Sequence, residues 1–443
     1  MILWAILAVV IPWCAGGAIL AAVSGRRLNA MHLIGAGYLL GQVIVMAALY
    51  LVLRVGGGGA HARWILLAFA AMAVLAIWKA CARPNDTQKP VQRSPLSRGA
   101  KALTALLILL IISKLAPVIA STLFVPVRGD DAISIWLYRA KVVTLLDRLP
   151  LEPVEPYYLG GAAPAYPIFL SLAAAWTPMV SGQWHETLAV LPWPFFYVTI
   201  LMLTAGGLRR LTGGLSAWIA TYLVASLPLL LTHASRPGYA DLPLSVFVAA
   251  TILHLTLWRE SRLRSEFALA IVFALAAACL KREGPPLALI AVAGFLLTNL
   301  NMIRSLPSVE KGVIAALVTA ACVNCLAVVD FSEQSEAASQ LAWQQGVLES
   351  LIRHAFQWSS LALFFPLVIV GLIAVAAFPN SAHRATTLTL VLAFIAFDAA
   401  VFLFTPQGRF AMNDQTPSRL FLQIAPASIL LLASSLARRR IST

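Results

Sequence analysis

Charge is scarce in this sequence: acidic and basic residues make up 11% of the 443 positions, where a water-soluble chain carries about 25%. That scarcity excludes an ordinary soluble domain. Cysteine is also sparse. Cys14, Cys81, Cys279, Cys322 and Cys325 lie in or beside apolar stretches and suggest no disulfide framework. Cys322 and Cys325 form a C-x-x-C pair without further ligands near it, so it reads as ordinary buried cysteine. There is no G-x-x-x-x-G-K-[ST] loop for nucleotide phosphates and no H-E-x-x-H zinc pair. A G-x-S-x-G elbow is missing too. An activated group must therefore arrive already attached to a substrate. No repeat of 20–50 residues and no low-complexity tail is present. The opening apolar run has Arg26 and Arg27 after it rather than before it, so it reads as a retained span rather than a cleaved signal.

What the chain has in abundance is hydrocarbon. Hydrophobic residues reach 60% and the mean hydropathy is +0.85. A span needs about 20 mainly apolar residues. Runs near that length lie at 1–23, 31–53, 63–78, 102–124, 187–208, 215–233, 241–257, 267–280, 285–300, 312–329, 358–378, 386–405 and 420–437. The expectation is an all-α, polytopic transmembrane helix bundle of about 13 spans. The run at 166–180 is short and interrupted by Trp176, Thr177 and Pro178, and is expected to be a re-entrant or interfacial helix. The polar, basic stretch 83–101 reads as a linker. It divides N-terminal spans (1–101) from a transmembrane region (102–443) that contains a long loop at 126–185.

The formal charge of +14 does not imply nucleic acid, because its distribution follows a membrane topology. With the N-terminus outside, the inner loops hold 19 basic residues against four acids, and the outer segments 12 against 13. That matches the positive-inside bias. It predicts an integral membrane protein with its N-terminus outside and its C-terminus in the cytoplasm. Reading 166–180 as a full span would turn Arg209–Arg210 and Arg438–Arg440 outward.

Polar residues then gather at the outer ends of the spans. Asp130 and Asp131 open the long loop. Asp130 suits a helix cap with Asp131 in the first turn, or either carboxylate can serve chemistry at the membrane lip. In the helix that follows, Ile133, Trp136, Leu137, Ala140 and Val143 share an apolar face. A second cluster runs from His233 and Arg236 through Tyr239 to Asp241, and a third is Lys281, Arg282 and Glu283. Arg409, Asp414 and Arg419 occupy the last outer loop. Each of these also has a plain reading as a solvated turn, a fortuitous ion pair or a snorkelling arginine. Lys114 and Asp398 lie inside spans, either paired or each lining a cavity.

In order, these residues resemble the C-type glycosyltransferase (GT-C) superfamily, polytopic enzymes that take sugar from a polyprenyl-phosphate carrier. Aminoarabinose transferases and protein O-mannosyltransferases are relatives. The resemblance rests on Asp130–Asp131, on Ala165-Tyr166-Pro167, and on Gly238-Tyr239-Ala240-Asp241-Leu242-Pro243. Lys281-Arg282-Glu283-Gly284 and Arg419-Leu420-Phe421-Leu422-Gln423 complete it. It implies Asp130, or else Asp131, as the base that deprotonates an acceptor hydroxyl on the extracytoplasmic face, with inversion. Lys281, Arg282, Arg236 and Arg419 are candidates to hold the departing phosphate. Tyr166, Tyr239, Asp241 and Glu283 are candidates for substrate binding. The resemblance fixes no cofactor, and Mg or Mn on Asp130, Asp131 and Asp241 suits carboxylate chemistry. The acceptor is a glycan, a lipid or a protein, and membrane lipids are partners; nucleic acid is not. The competing expectation is a polytopic transporter or a flippase for lipid-linked glycans, with its site near the midplane between repeats.

Overall fold

A computed structural model describes residues 2–24, 29–82, 97–151, 157, 166–304, 308, 311–312, 319, 342–356, 361, 363–378, 383–405, 407–412 and 416–436. Among the described residues every regular element is helical and no strand occurs. Eight helices among the described residues are long and apolar enough to cross a membrane, or nine if Gly214–Ala225 and Pro228–Ser235 form one broken span. The chain is an integral membrane protein by this measure, with fewer described spans than the 13 expected. Three runs counted as spans form helices of only 15, 14 and 14 residues: Arg264–Ala278, Gly284–Leu297 and Phe364–Ala377. Fifteen helical residues reach about 22 Å, short of a hydrocarbon core of about 30 Å. The run at 312–329 falls largely outside the described residues, as do Cys322 and Cys325.

The chain packs as two compact units. The first comprises Met1–Ala225 with Ala234–Ala240, the second Ser226–His233 with Asp241–Thr443.

The first unit contains α1 (Ile2–Ser24), α2 (Ala30–Arg54), α3 (Gly59–Ala82) and α4 (Arg98–Phe124). A π-helical turn (Ala132–Leu137) leads into α5 (Tyr138–Leu146). Then come α6 (Phe169–Ser181), the short α7 (Glu186–Val190), α8 (Pro192–Leu211) and α9 (Gly214–Ala225). Helix α1 packs on α2 and α3, and α2 also packs on α8. Small residues set the α1–α2 approach: a methyl added at Gly16 would stand 2.1 Å from the Gly37 carbonyl, and one at Gly41 2.4 Å from that of Pro12. In lipid, where apolar surface alone gives helices no reason to associate, such close contact supplies the attraction.

Helix α6, expected to be re-entrant or interfacial, has 13 residues and is too short to count as a span. It is buried from Leu170 through Val180 and packs against α1, α2, α3 and α5. A helix lying on a lipid surface would leave a face open. The interruption at Trp176 is satisfied internally: its Nε1 donates to the Ala8 carbonyl at 2.7 Å. Pro12, four residues on, has no N–H to claim that carbonyl.

The amphipathic face predicted after Asp131 is also modified. Trp136, Leu137, Ala140 and Val143 are buried, but Ile133 is 53% exposed. The π turn, closed by Tyr138 N–H donating to the Ile133 carbonyl, takes more residues per turn than an α-helix and so shifts the phase of the stripe.

The second unit contains most of α10 (Pro228–Ser235), then α11 (Asp241–Ser261), α12 (Arg264–Ala278), α13 (Gly284–Leu297) and α14 (Leu300–Arg304). After these come α15 (Val347–Phe356), α16 (Phe364–Ala377), α17 (Arg384–Phe404), α18 (Gly408–Ala411) and α19 (Thr416–Leu436). Helix α11 is the axis, buried throughout its apolar window and packed by α12, α13 and α19. Its far end is clasped by polar groups. Arg259 and Asn299 both donate to Thr386 Oγ1 at 3.2 Å, and His383 lies 3.3 Å from Glu260.

Candidate functional site

Asp241 begins α11, at the helix end where the macrodipole favours an acid, and its carboxylate is fully buried. Its Oδ1 accepts from Lys281 Nζ at 2.8 Å and from Gln423 Nε2 at 2.8 Å. Its Oδ2 accepts from Arg419 Nε at 3.0 Å and lies 2.9 Å from Arg419 Nη2. His233 Nδ1 stands 3.8 Å from the same oxygen. A buried carboxylate is stabilised only when charge and hydrogen bonds surround it, and this one is surrounded.

Four elements of the second unit supply these groups. The turn between α12 and α13 carries Lys281 and Glu283, whose Oε1 lies 3.2 Å from Lys281 Nζ. Helix α19 supplies Arg419 and, one turn on, Gln423 on the same face. Helix α10 supplies His233. Burial by itself would lower the Lys281 pKa, but the carboxylates of Asp241 and Glu283 outweigh it and hold the ammonium above the ordinary lysine value. Lys281 therefore stays charged. Arg419 keeps 23% of its side chain exposed, so the cluster opens to its surroundings on the arginine side.

The second unit thus brings together Asp241, Lys281, Glu283 and Arg419. Arg282, between two members of the cluster, points out and is exposed. Gln423 and His233, which the sequence analysis named within motifs but gave no role, also take part. Gln423 had a legible signal, its spacing of four from Arg419 on one helix. Asp398 of α17 is fully buried too, and neither carboxyl oxygen has a hydrogen-bond partner among the described residues.

The other candidates belong to the first unit. Asp130 is exposed and Asp131 half-buried, at the head of the π turn. Gly129 (φ 122) lies against Tyr239: a methyl there would stand 2.0 Å from the phenol oxygen. Gly238 lies against Ala132 in the same way, at 2.6 Å, and Trp193 Nε1 donates to the Tyr239 carbonyl at 2.8 Å. The acidic turn and the Gly238–Tyr239 segment are therefore packed together. Arg236 is exposed. Tyr166 packs edge-on against Trp136 at 5.2 Å, and its carbonyl accepts from Arg139 Nη1 at 2.7 Å. Arg139, which sequence reading passed over, is 4% exposed and anchors the Tyr166–Pro167 backbone. Lys114 is half-buried in α4.

A divalent cation does not fit Asp241 in this arrangement, since both carboxylate oxygens are taken by cationic and amide donors. Among the described residues, no cluster of three ligating groups includes Asp130, Asp131 or Asp241.

Comparison with known proteins finds no matching family description, no matching curated protein and no matching solved structure.

Proposed function

We propose that this chain is a membrane glycosyltransferase of the C-type architecture, moving a sugar from a polyprenyl-phosphate donor to an envelope acceptor on the extracytoplasmic face. The observation that carries the reading is the convergence of Lys281 and Arg419 on buried Asp241. Two cations are fixed on one carboxylate, Lys281 also beside Glu283, and Arg419 is the partly open donor through which a phosphate would meet the cluster. Charge-assisted bonds from such donors are strong. The orientation that supports it is the one favoured by loop charge, with the N-terminus outside in a bacterial inner membrane and the C-terminus in the cytoplasm.

In this reading the donor is already activated, because its phosphate is a good leaving group. Arg419 and Lys281 hold that phosphate and offset the negative charge that builds on it as the glycosidic bond breaks. Asp241 and Glu283 hold the cations in place, and Asp130, or Asp131, removes the proton from the acceptor hydroxyl. Attack opposite the leaving phosphate inverts the anomeric centre. Tyr166, Tyr239, Arg236 and Arg282 are left as substrate contacts. Any divalent cation would rest on Asp130 and Asp131.

The test is transfer from a labelled polyprenyl-phosphate sugar to acceptors extracted from the envelope, using purified protein in liposomes. Asp130→Asn and Asp131→Asn variants that fold and both keep full transfer would remove the acid–base assignment. Lys281→Met with normal transfer would remove the phosphate site.

One observation favours transport instead. Asp398 is an acid buried in a span, and such groups often mark ion or substrate pathways. Labelled lipid-linked glycan crossing the liposome membrane without sugar transfer would select a flippase.

A further inference from the structure

At the end of the first unit where α1 and α3 begin, a cleft of about 460 Å³ is lined by residues of α3, α5 and the segment after α6. Two opposite charges face it, and each is brought there by missing side chains. Asp147 ends α5 in the left-handed region (φ 57). A methyl on Gly58 would stand 2.1 Å from its Oδ2, and one on Gly59 2.9 Å from Oδ1. Bare glycines therefore let the carboxylate settle at the start of α3.

Arg63, one turn into α3, is held from two other directions. Its Nε donates to the Val180 carbonyl at 3.1 Å, and its guanidinium lies 4.9 Å over the Trp4 ring. Gly182 (φ 80) sits where a methyl would come 3.0 Å from Arg63 Nη2. Both charged groups line the cleft, yet among the described residues no ion pair joins them. A cation held by Val180 and Trp4, and an anion on a left-handed cap residue, line one cleft and suit a ligand that carries both charges.

The depth of the cleft narrows the choice. Trp4 lies in the first turn of the α1 span, Arg63 in the first turns of the α3 span, and Trp64 beside it is 68% exposed. Trp184 lines the cleft itself. Tryptophans gathered at one end of a set of spans mark the headgroup level of a bilayer. Further along α3, Leu67, Val74 and Leu75 are more than half exposed, as a lipid-facing surface requires.

We propose that this cleft binds the phosphoethanolamine headgroup of a membrane lipid, with the phosphate on Arg63 and the primary ammonium on Asp147. The acyl chains then run along the apolar outer face of α3. A trimethylated choline headgroup has no N–H to donate to Asp147, and a glycerol headgroup has no cation to offer it. The assignment does not rest on the proposed transferase activity and can fail or hold without it.

The experiment is thermal unfolding of the purified full chain in detergent with added dioleoyl phosphatidylethanolamine, phosphatidylcholine or phosphatidylglycerol. A ligand that binds only the folded state raises the midpoint. The expected result is a larger rise with the ethanolamine lipid than with either other lipid. Asp147→Asn should level the ethanolamine and choline lipids, and Arg63→Ala should weaken all three. Should Arg63→Ala fail to fold, Arg63→Gln gives the same reading. Equal rises for the ethanolamine and choline lipids in the unmodified protein overturn the proposal, as does a preference that survives Asp147→Asn. Soluble phosphoethanolamine matching the lipid would assign the chemistry to a free ligand and overturn the lipid as occupant.

Discussion

Lys281 and Asp241, 40 positions apart, meet at 2.8 Å with the lysine side chain 7% exposed and the carboxylate fully buried. Removing the carboxylate leaves Lys281 and Arg419 facing each other without their shared counter-ion. Breaking a buried pair in this way costs about 3–5 kcal/mol. Asp241→Ala is therefore expected to lower the unfolding midpoint severely. Lys281→Met should cost less, because Asp241 keeps its bonds from Arg419 and Gln423. Thermal unfolding of the two purified variants ranks them. The reverse order would show that the carboxylate is not the centre of the cluster.

Arg419 contributes geometry as well as charge. Its Nε and Nη2 both approach Asp241 Oδ2, at 3.0 and 2.9 Å, which fixes the plane of the guanidinium. A lysine supplies a single ammonium and cannot make the same fork. Loss of a charge-assisted hydrogen bond costs about 1.5–3 kcal/mol, or roughly 10–100-fold in affinity. Under the proposed activity, Arg419→Lys is expected to raise KM for the lipid-phosphate sugar by up to that factor, with a smaller change in kcat. An unchanged KM would take the phosphate off Arg419.

The long spans were legible because uniform hydropathy needs no partner to be read. The run at 31–53 became Ala30–Arg54 and the run at 1–23 became Ile2–Ser24. The burial of helix α6 was not legible, for the opposite reason. Trp176 and Pro178 look like interruptions until Ala8, 168 positions away, accepts the indole N–H. The charged turns around Asp241 could be picked out by residue type, since ionised groups at span ends stand out against an apolar background. Gln423 was named only as the end of a motif, because a neutral amide within an apolar run carries no charge signal and only its spacing from Arg419 points to a role. The π turn was invisible, as no residue pattern in Ala132–Leu137 marks where a helix widens.

The raised pKa of Lys281 has a direction in pH. Its folded value lies above the ordinary lysine value, so the folded protein holds this proton more tightly than the unfolded chain does. The stability it contributes is fully present below the unfolded value of about 10.4 and is lost as pH rises through the folded value. Stability measured upward from neutrality should therefore show no loss from this group until strongly alkaline pH. Lys281→Met should remove part of the alkaline decline and leave the acid side largely unaltered. A loss near neutrality that disappears in Lys281→Met would contradict a lysine held charged.

Gly129 offers the sharpest test of how the acidic turn is placed. Its φ of 122 lies where a side chain is strained, at about 1–3 kcal/mol, and a methyl would stand 2.0 Å from the Tyr239 phenol oxygen and 2.6 Å from the ring carbon that bears it. Gly129→Ala must therefore move Tyr239 or the Asp130–Asp131 turn. The expected outcome is a lowered unfolding midpoint and, under the proposed activity, a loss of transfer exceeding the loss of folded protein. Tyr239→Phe removes only the hydroxyl, and Tyr239→Ala removes the whole ring. Added to Gly129→Ala, the alanine change should restore more stability than the phenylalanine change, while the backbone strain persists in both. If neither second change restores any stability, the contact between Gly129 and Tyr239 does not limit the turn, and backbone conformation alone makes glycine necessary at this position.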